Sequence, residues 1–166
     1  MKIHRSAYVH ERATVIGDVT LGAQVSVWPT AVIRADTAPI TIGAQTNVQD
    51  GAVIHVDQGV PAAVGERVTI GHRAIVHGAT IADDCLIGMG AILLNNVHVG
   101  RGCVVAAGAV CKEGMRIPED SLVVGVPARV ARHTSAADRE RIARAAAVYV
   151  ALQEEYKRGS HQAHVS

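Results

Sequence analysis

The sequence predicts a mainly β protein: a parallel β-helix built from hexapeptide repeats, followed by a C-terminal α-helix. The first observation is an aliphatic residue that recurs at six-residue intervals through most of the chain. The second is a small residue four places after most of these aliphatics. A period of six matches neither the 3.6 of a helix nor the 2 of an alternating strand. It fits short strands joined by regular corners.

The aliphatic series marks the inward positions of a three-sided prism, with one hexad per wall. Three hexads make one coil of 18 residues, and stacked coils lie about 4.8 Å apart, the ordinary strand spacing. A narrow prism has no room for rings, in agreement with the absence of Phe and an aromatic content of 2%. The inward series is Val9, Val15, Leu21, Val27, Ile33, Ile42, Val48, Ile54, Val64, Ile70, Val76, Ile81, Ile87, Leu93, Val99 and Val105.

The register of the repeat breaks at three places. Three extra residues follow Ile33, four extra residues follow Ile54, and one residue is missing after Val76. We expect the insertions to be extruded as loops. The repeat is predicted to end near Cys111, and the prolines and glycine of 117–130 predict an irregular extended tail. The small corner residues include Thr80, Cys85 and Cys103, and the two cysteines are expected to be buried thiols in consecutive coils.

The C-terminal segment has the spacing of an amphipathic helix. We expect a repeat domain with its tail over 1–133, a helix packed on it over 134–158, and a frayed tail over 159–166. Thr134 or Ser135 can cap the helix. The residues at helical spacing on its apolar face are Ile142, Ala145, Ala146, Tyr149, Leu152 and Tyr156.

Composition excludes several classes of partner. A formal net charge of +1 gives no electrostatic basis for binding nucleic acid. No apolar run reaches the roughly 20 residues that span a bilayer, so no membrane partner is expected. The N-terminus lacks a basic segment followed by an apolar one, so we expect no signal peptide and a cytoplasmic protein.

Two of the nine histidines align with an arginine on the hexad pattern. The place directly after an inward aliphatic points outward, and Arg34, His55 and His77 each occupy it. They are separated by 21 and 22 residues, which is one coil plus each insertion. We therefore expect an outward column with neighbours about 5 Å apart. Two imidazoles in such a column can bind one cation.

A third histidine lies on a different wall. His72 comes two places after Ile70, too far around the prism to join the column of its own chain. Three copies in a ring would bring it to the column of a neighbour, because a cyclic arrangement lets such a contact close. Three imidazoles with a free fourth position are the ligand set of a catalytic zinc. The other histidines are expected to be surface residues: His4, His10, His98, His133, His161 and His164.

Four stretches of the chain are distinctive: VWPTAVIRAD (27–36), IGAQTNVQDGAVIHVD (42–57), TIGHRAIVHGATI (69–81) and LIGMGAILL (86–94). Together they resemble the γ-class carbonic anhydrase family, most closely its short bacterial members. The resemblance implies a left-handed parallel β-helix, a homotrimer, and reversible hydration of carbon dioxide to bicarbonate. It covers about residues 10–156.

The resemblance also implies the roles of particular residues. It makes His55, His72 and His77 the ligands of zinc, with iron or cobalt as alternatives, and it takes His72 from the adjacent subunit. It makes Arg34 and Asp36 the pair that ties adjacent subunits together, although by themselves they could be an ordinary exposed ion pair.

Further residues of the site follow from the same resemblance. Gln49 and Asp50 are implied to lie beside the metal-bound water, with Asn47 supporting them. Tyr149 is implied to reach the site from the helix, although helix packing alone would also explain it.

The chain departs from the family pattern in its acidic residues. Thr37 stands where active members have a glutamate, and the short loop after His55 contains only Asp57. Three alternatives therefore stay open. The segment GVPARV (125–130) resembles hexapeptide-repeat CoA-dependent acyltransferases. A metal-bound hydroxide could also serve a thioesterase, and the missing glutamates favour a non-catalytic homologue that binds metal.

Overall fold

The inward aliphatic positions build the parallel β-helix that the six-residue period predicts. The structure is a computed structural model that describes residues 1–161. His164 and most of the predicted frayed tail lie outside the described residues. The strands are β1 Lys2–Ile3, β2 Tyr8–Val9, β3 Thr14–Leu21, β4 Ser26–Val27, β5 Val32–Ile42, β6 Asn47–Val48, β7 Val53–His55, β8 Ala62–Val64, β9 Thr69–Ile70, β10 Ile75–His77, β11 Thr80–Ile81, β12 Leu86–Ile87, β13 Ile92–Leu93, β14 His98–Val99, β15 Val104–Val105, β16 Val110–Cys111, β17 Arg116–Ile117, β18 Ser121–Val124 and β19 Arg129–His133. The helix α1 spans Ala136–Lys157.

These strands form three walls. The histidine wall consists of β7, β10, β13 and β16 with the first halves of β3 and β5. The second wall consists of β1, β8, β11, β14 and β17 with the second halves of β3 and β5. The helix wall consists of β2, β4, β6, β9, β12, β15 and β18, all parallel, so the structure has about seven coils.

The core is the column of inward aliphatics that the period predicts. From Leu21 to Val105, every residue of that series is at most 4% exposed. Val9 and Val15 are partly buried against the same core. Each fully buried aliphatic of this kind contributes about 1.5–3 kcal/mol. Stacking of one coil on the next is thus the main source of stability, as expected for a solenoid.

The register breaks take forms that differ from the prediction. The three residues inserted after Ile33 are not a loop, because β5 continues as one strand around the corner between two walls. The insertion after Ile54 does form a turn, closed by an antiparallel bridge between Asp57 and Val60. At the shortened corner Ala79 is buried and Thr80 is exposed, so the prediction that Thr80 fills the corner was wrong. The missing residue shifts the inward place by one.

The repeat does not end near Cys111, as predicted, but extends to Val123. Ile117 and Val123 keep the six-residue interval from Cys111 and are 4% and 0% exposed. The tail beyond them is not irregular, because β19 pairs antiparallel with β18. Gly125 and Pro127 lie in the turn between β18 and β19, and Pro118 directly follows β17, so none of them interrupts a strand.

Helix α1 begins with a capping box. The Ser135 side chain accepts a hydrogen bond from the Asp138 backbone N–H, and the Asp138 carboxylate accepts one from the Ser135 backbone. Hydrogen bonds from Arg132 and Ser135 hold the pKa of Asp138 below its ordinary value. The carboxylate therefore stays charged near the helix N-terminus, where negative charge is favourable.

The helix covers strands β4, β6 and β9 of the helix wall. Ile142 and Ala146 of the predicted face are 4% exposed. Gln153, which the apolar pattern did not include, is fully buried and donates from Nε2 to the Gln24 carbonyl at 3.0 Å. Trp28 packs edge-on against Tyr149 and Tyr156, with ring centroids 5.2 and 5.0 Å apart. Within residues 1–161, no helix is long and apolar enough to cross a membrane.

We expect Ser135→Ala to loosen the start of α1. Loss of an N-cap oxygen costs about 0.5–2 kcal/mol, so amides of the first helical turn should exchange with solvent about 2- to 30-fold faster. Hydrogen exchange measured by mass spectrometry over residues 136–157 checks this. The control is Ser160→Ala, an exposed serine just beyond the helix, which should leave the exchange unchanged. Equal exchange in both variants would contradict the assigned cap.

Candidate metal centre

Two imidazoles meet on the outer face of the histidine wall. The strand register pairs Arg34 with His55 and His55 with His77, which places the three residues in consecutive coils. The column predicted from the hexad spacing is therefore present. Nδ1 of His55 lies 3.0 Å from Nε2 of His77, and the ring planes are inclined by 63°.

The other ring nitrogen of His77 contacts an amide that sequence analysis missed. Nδ1 of His77 lies 2.8 Å from Oδ1 of Asn95, and Nδ2 of Asn95 donates to Oδ2 of Asp57 at 2.7 Å. A carboxylate only accepts, so this second bond fixes which end of the amide faces His77. His77 therefore donates from Nδ1–H, and its Nε2 has the lone pair. Asn95 lies one coil beyond His77, beside the shortened corner, and that spacing is the feature that points to it.

The outer nitrogen of His55 contacts a carboxylate. Nε2 of His55 lies 3.1 Å from Oδ1 of Asp36, and Asp36 also contacts Arg34. Partial desolvation raises the pKa of Asp36. Hydrogen bonds from His55, the backbone and Arg34 lower it by more, so the net pKa is below the ordinary value. With Nε2–H donating to this carboxylate, Nδ1 of His55 has the lone pair.

The lone pairs of His55 Nδ1 and His77 Nε2 thus face each other when both rings are neutral. At 3.0 Å, two lone pairs repel unless a proton or a metal cation lies between them. An ion about 2.0–2.1 Å from each nitrogen, the usual bond length for zinc, would fit this gap. The two imidazoles therefore suit a metal ion, and each has the hydrogen-bonded outer nitrogen that is typical of metal-binding histidines.

His72 lies in the turn that follows β9, at the edge of the helix wall. Its Nδ1 is 3.1 Å from Oδ2 of Asp50, and its backbone N–H donates to Oε1 of Gln49 at 3.1 Å. Gln49 in turn donates to Asn47 Oδ1, and Asn47 donates to Thr69 Oγ1, both at 3.0 Å. Gln49 and Asn47 are 6% and 1% exposed. This buried chain of amides holds the His72 backbone in place and leaves its Nε2 directed away from Asp50.

One chain does not bring all three histidines together. Within residues 1–161 of a single chain, no three side chains of the types His, Cys, Asp and Glu are grouped closely enough to hold a metal ion. His55 and His77 end strands of one sheet, whereas His72 follows a strand of the other.

A cavity of about 510 Å³ separates α1 from the edge of the helix wall. Gln49, His72, Met89 and Tyr149 are among the residues that line it. Desolvation, together with the negative charge of Asp50 and the nearby Tyr156, raises the pKa of Tyr149. Tyr149 is thus neutral at physiological pH, lines the same cavity as His72 and also packs on Trp28.

Known proteins similar to this chain include hexapeptide-repeat proteins and γ-class carbonic anhydrases. A family model described as bacterial transferase hexapeptide (six repeats) matches residues 78–113. The chain is 41% identical over 152 residues to a probable carbonic anhydrase of Methanocaldococcus jannaschii, covering 92% of this chain and 96% of that protein. It is 36% identical to the mitochondrial gamma carbonic anhydrase 2 of Arabidopsis thaliana, covering 90% of this chain. The chain spans only 56% of the length of that plant relative.

A solved structure has the same architecture over nearly the whole chain. It is a putative acetyltransferase of Bacillus cereus with a TM-score of 0.92 and 38% sequence identity. The match covers 94% of this chain and 91% of that one.

Proposed function

Because the chain belongs to the γ-class carbonic anhydrase-like family of hexapeptide-repeat proteins, we propose that it catalyses the reversible hydration of carbon dioxide to bicarbonate. In this proposal, it is a homotrimer with one metal ion at each seam between subunits. The ion is zinc, or iron or cobalt, since imidazole suits all three.

The observation that carries this proposal is the convergence of the His55 and His77 lone pairs. Two of the three histidines have one ring nitrogen hydrogen-bonded to an oxygen, of Asp36 for His55 and of Asn95 for His77, and Nδ1 of His72 lies 3.1 Å from Asp50 Oδ2. The opposite nitrogen of each ring is thereby kept as the ligand atom. Such outer hydrogen bonds orient the ring and make it a better donor to a metal.

An apolar stripe supports a subunit contact beside the histidine column. The outward residues that precede each inward aliphatic of the histidine wall are paired from coil to coil. None of them is fully buried in a single chain, and Ile75 is 36% exposed. The stripe consists of Val32, Val53, Ile75, Ile92 and Val110.

A second apolar area lies beside His72. Met89, which lines the same cavity as His72, is 59% exposed, and Val148 on α1 is 52% exposed. Contact between this area and the stripe of a neighbour would bury both. It would also bring His72 to the neighbour's His55 and His77. Two different patches in contact form a heterologous interface, which closes into a ring under cyclic symmetry.

The metal ion, when bound by the three imidazoles, lowers the pKa of a bound water to about 7 and so supplies the nucleophile. The side chains of the protein position the reacting groups and accept the proton. Gln49 uses Oε1 to hold the His72 backbone and one N–H to bind Asn47, which leaves a second N–H for a ligand in the cavity. Asp57, with a side chain 56% exposed and Oδ1 3.9 Å from His77 Nε2, provides a carboxylate that can accept a proton at the solvent boundary.

The size of the cavity favours a second candidate function, in which a larger acyl substrate is used. A cavity of about 510 Å³ falls in the range that accepts drug-sized organic ligands and far exceeds the needs of carbon dioxide. The relatives include a structure described as a putative acetyltransferase. A CoA-dependent acyltransferase or a metal-dependent thioesterase would use the same face. A non-catalytic metal-binding role is the third possibility.

We expect His77→Ala to abolish both metal retention and hydration activity, because it removes one of the two facing ligand atoms. Protein purified anaerobically should be divided between elemental analysis and a stopped-flow hydration assay. The control is His98→Ala, an outward histidine one coil further on the second wall, which should keep wild-type metal content and activity. Full metal occupancy in His77→Ala would overturn the ligand assignment.

The same sample separates the candidate functions. Metal-loaded wild-type protein that lacks hydration activity but transfers the acetyl group of acetyl-CoA, or hydrolyses its thioester to acetate and CoA, would favour the second candidate. Acyl transfer that survives thorough chelation would identify an acyltransferase. Thioester hydrolysis that is lost on chelation would identify a metal-dependent thioesterase. A metal-loaded protein that is inactive in all three assays would support the non-catalytic role.

We expect Ile75→Asp to dissociate the assembly, because it places a charge in the centre of the apolar stripe. Light scattering after gel filtration should give about three times 17.4 kDa for the wild type and a single chain for the variant. Thr80→Asp, at an exposed place on the second wall, is the matched control and should stay assembled. A wild-type protein of one-chain mass, or a variant of unchanged mass, would refute the seam.

A further inference from the structure

We propose that Asn95 is a positioning residue for the metal centre, which selects the ligand nitrogen of His77 and fixes the loop 56–61 beside it. This inference rests on the proposed metal site, and it adds a residue outside the motifs that identify the family. Its place one coil beyond His77, beside the shortened corner, is the one sequence feature that points to it.

The first step is that Asn95 has a single productive orientation. Its Nδ2 donates to Asp57 Oδ2 at 2.7 Å, and its Oδ1 accepts from His77 Nδ1 at 2.8 Å. An amide turned by 180° would direct N–H groups at the His77 nitrogen and an oxygen at the carboxylate, losing the Asp57 bond. The carboxylate thus sets the amide, and the amide sets which nitrogen of His77 has the lone pair.

The second step is that the Asn95 backbone belongs to the rigid solenoid. The turn containing Asn95 is bonded to the coils on both sides: Asn96 N–H donates to the Gly78 carbonyl at 2.8 Å, and Gly114 N–H donates to the Asn95 carbonyl at 2.9 Å. Gly78 N–H in turn donates to the His55 carbonyl at 2.9 Å. The amide is therefore presented from a fixed position, whereas Asp57 lies in an exposed turn.

The third step is that the corner beside His77 and Asn95 has no side chain that would block their contact. Gly78 has φ of +55°, and a Cβ at this place would overlap Asn95 Oδ1 and come within 2.7 Å of Val60 Cγ1. The missing residue of the repeat occurs at this corner. The short corner, the glycine and the amide thus form one arrangement. It joins the end of β10 to the turn that contains Asp57 and Val60.

The consequence concerns metal affinity. Loss of an outer hydrogen bond to a ligand histidine typically lowers metal affinity 10- to 100-fold. Because Asn95 also holds Asp57, its loss should free the loop 56–61, which follows His55 directly. Both effects act on the ligand pair without removing either imidazole.

The test compares cobalt binding by the full-length, metal-stripped wild-type protein and its Asn95→Leu variant. Chelator competition should give a dissociation constant about 10- to 100-fold higher for Asn95→Leu, with an altered visible absorption spectrum of the bound cobalt. Asn95→Asp keeps an acceptor oxygen for His77 but loses the N–H that binds Asp57, so its affinity should lie between those of Asn95→Leu and the wild type. Glu113→Leu is the matched control, since it occupies the same exposed turn one coil further and should change nothing.

The outcomes separate this inference from the proposed function. An unchanged affinity and spectrum in Asn95→Leu, with binding that still depends on His77, would overturn the role of Asn95 and leave the metal site intact. Failure of the wild type to bind cobalt through His77 would overturn both. If Asn95→Leu does not assemble, Asn95→Ala, which removes the amide without adding volume, gives the same comparison.

Discussion

Parallel stacking of coils in register is the constraint on which the rest of this structure depends. Each coil is bonded to the next by backbone hydrogen bonds, so every residue has fixed neighbours one coil above and one below. Inward, this stacking builds the aliphatic core. Outward, it brings side chains that are 17 to 22 residues apart in sequence to neighbouring positions on one wall. Chemistry on such a surface follows from the arithmetic of the repeat, including its insertions and its one deletion.

The candidate metal centre shows how spacing along the chain decides which side chains become neighbours. Insertions of three and four residues shift the register but return His55 to a place under Arg34 and His77 to a place beyond His55. The facing nitrogens are costly without a cation, and the surrounding oxygens of Asp36 and Asn95 keep them facing. In the proposed function, the site is incomplete in one chain, and a shared ion would join the histidine wall of one copy to the helix wall of another.

The sequence predicts those features that repeat. The inward series, the column of Arg34, His55 and His77, and the separate place of His72 all follow from a six-residue interval. The helix start also follows from local chemistry, because Ser135 and Asp138 form their capping box within one turn. The sequence could not supply contacts made by side chains that deviate from the repeat.

Asn95 is the clearest of these, since the sequence shows the shortened corner but only the fold shows that the Asn95 side chain contacts His77 there. The buried Gln153 and the ring cluster of Trp28, Tyr149 and Tyr156 depend on how the helix lies across the helix wall. Val123 was missed because Pro118, Gly125 and Pro127, which flank it, suggested that the coils had ended. In each case, a long-range contact overrides the local pattern.

Complementation between two inactive variants tests the central claim most directly. His72→Ala and His77→Ala, with different affinity tags, are co-expressed, and assemblies that contain both are isolated and analysed for metal. Neither variant alone should retain metal, whereas every mixed trimer has one seam where an intact His55–His77 pair meets an intact His72. We therefore expect one ion per mixed trimer. Mixed assemblies without metal, or full occupancy in His72→Ala alone, would contradict a site shared between chains.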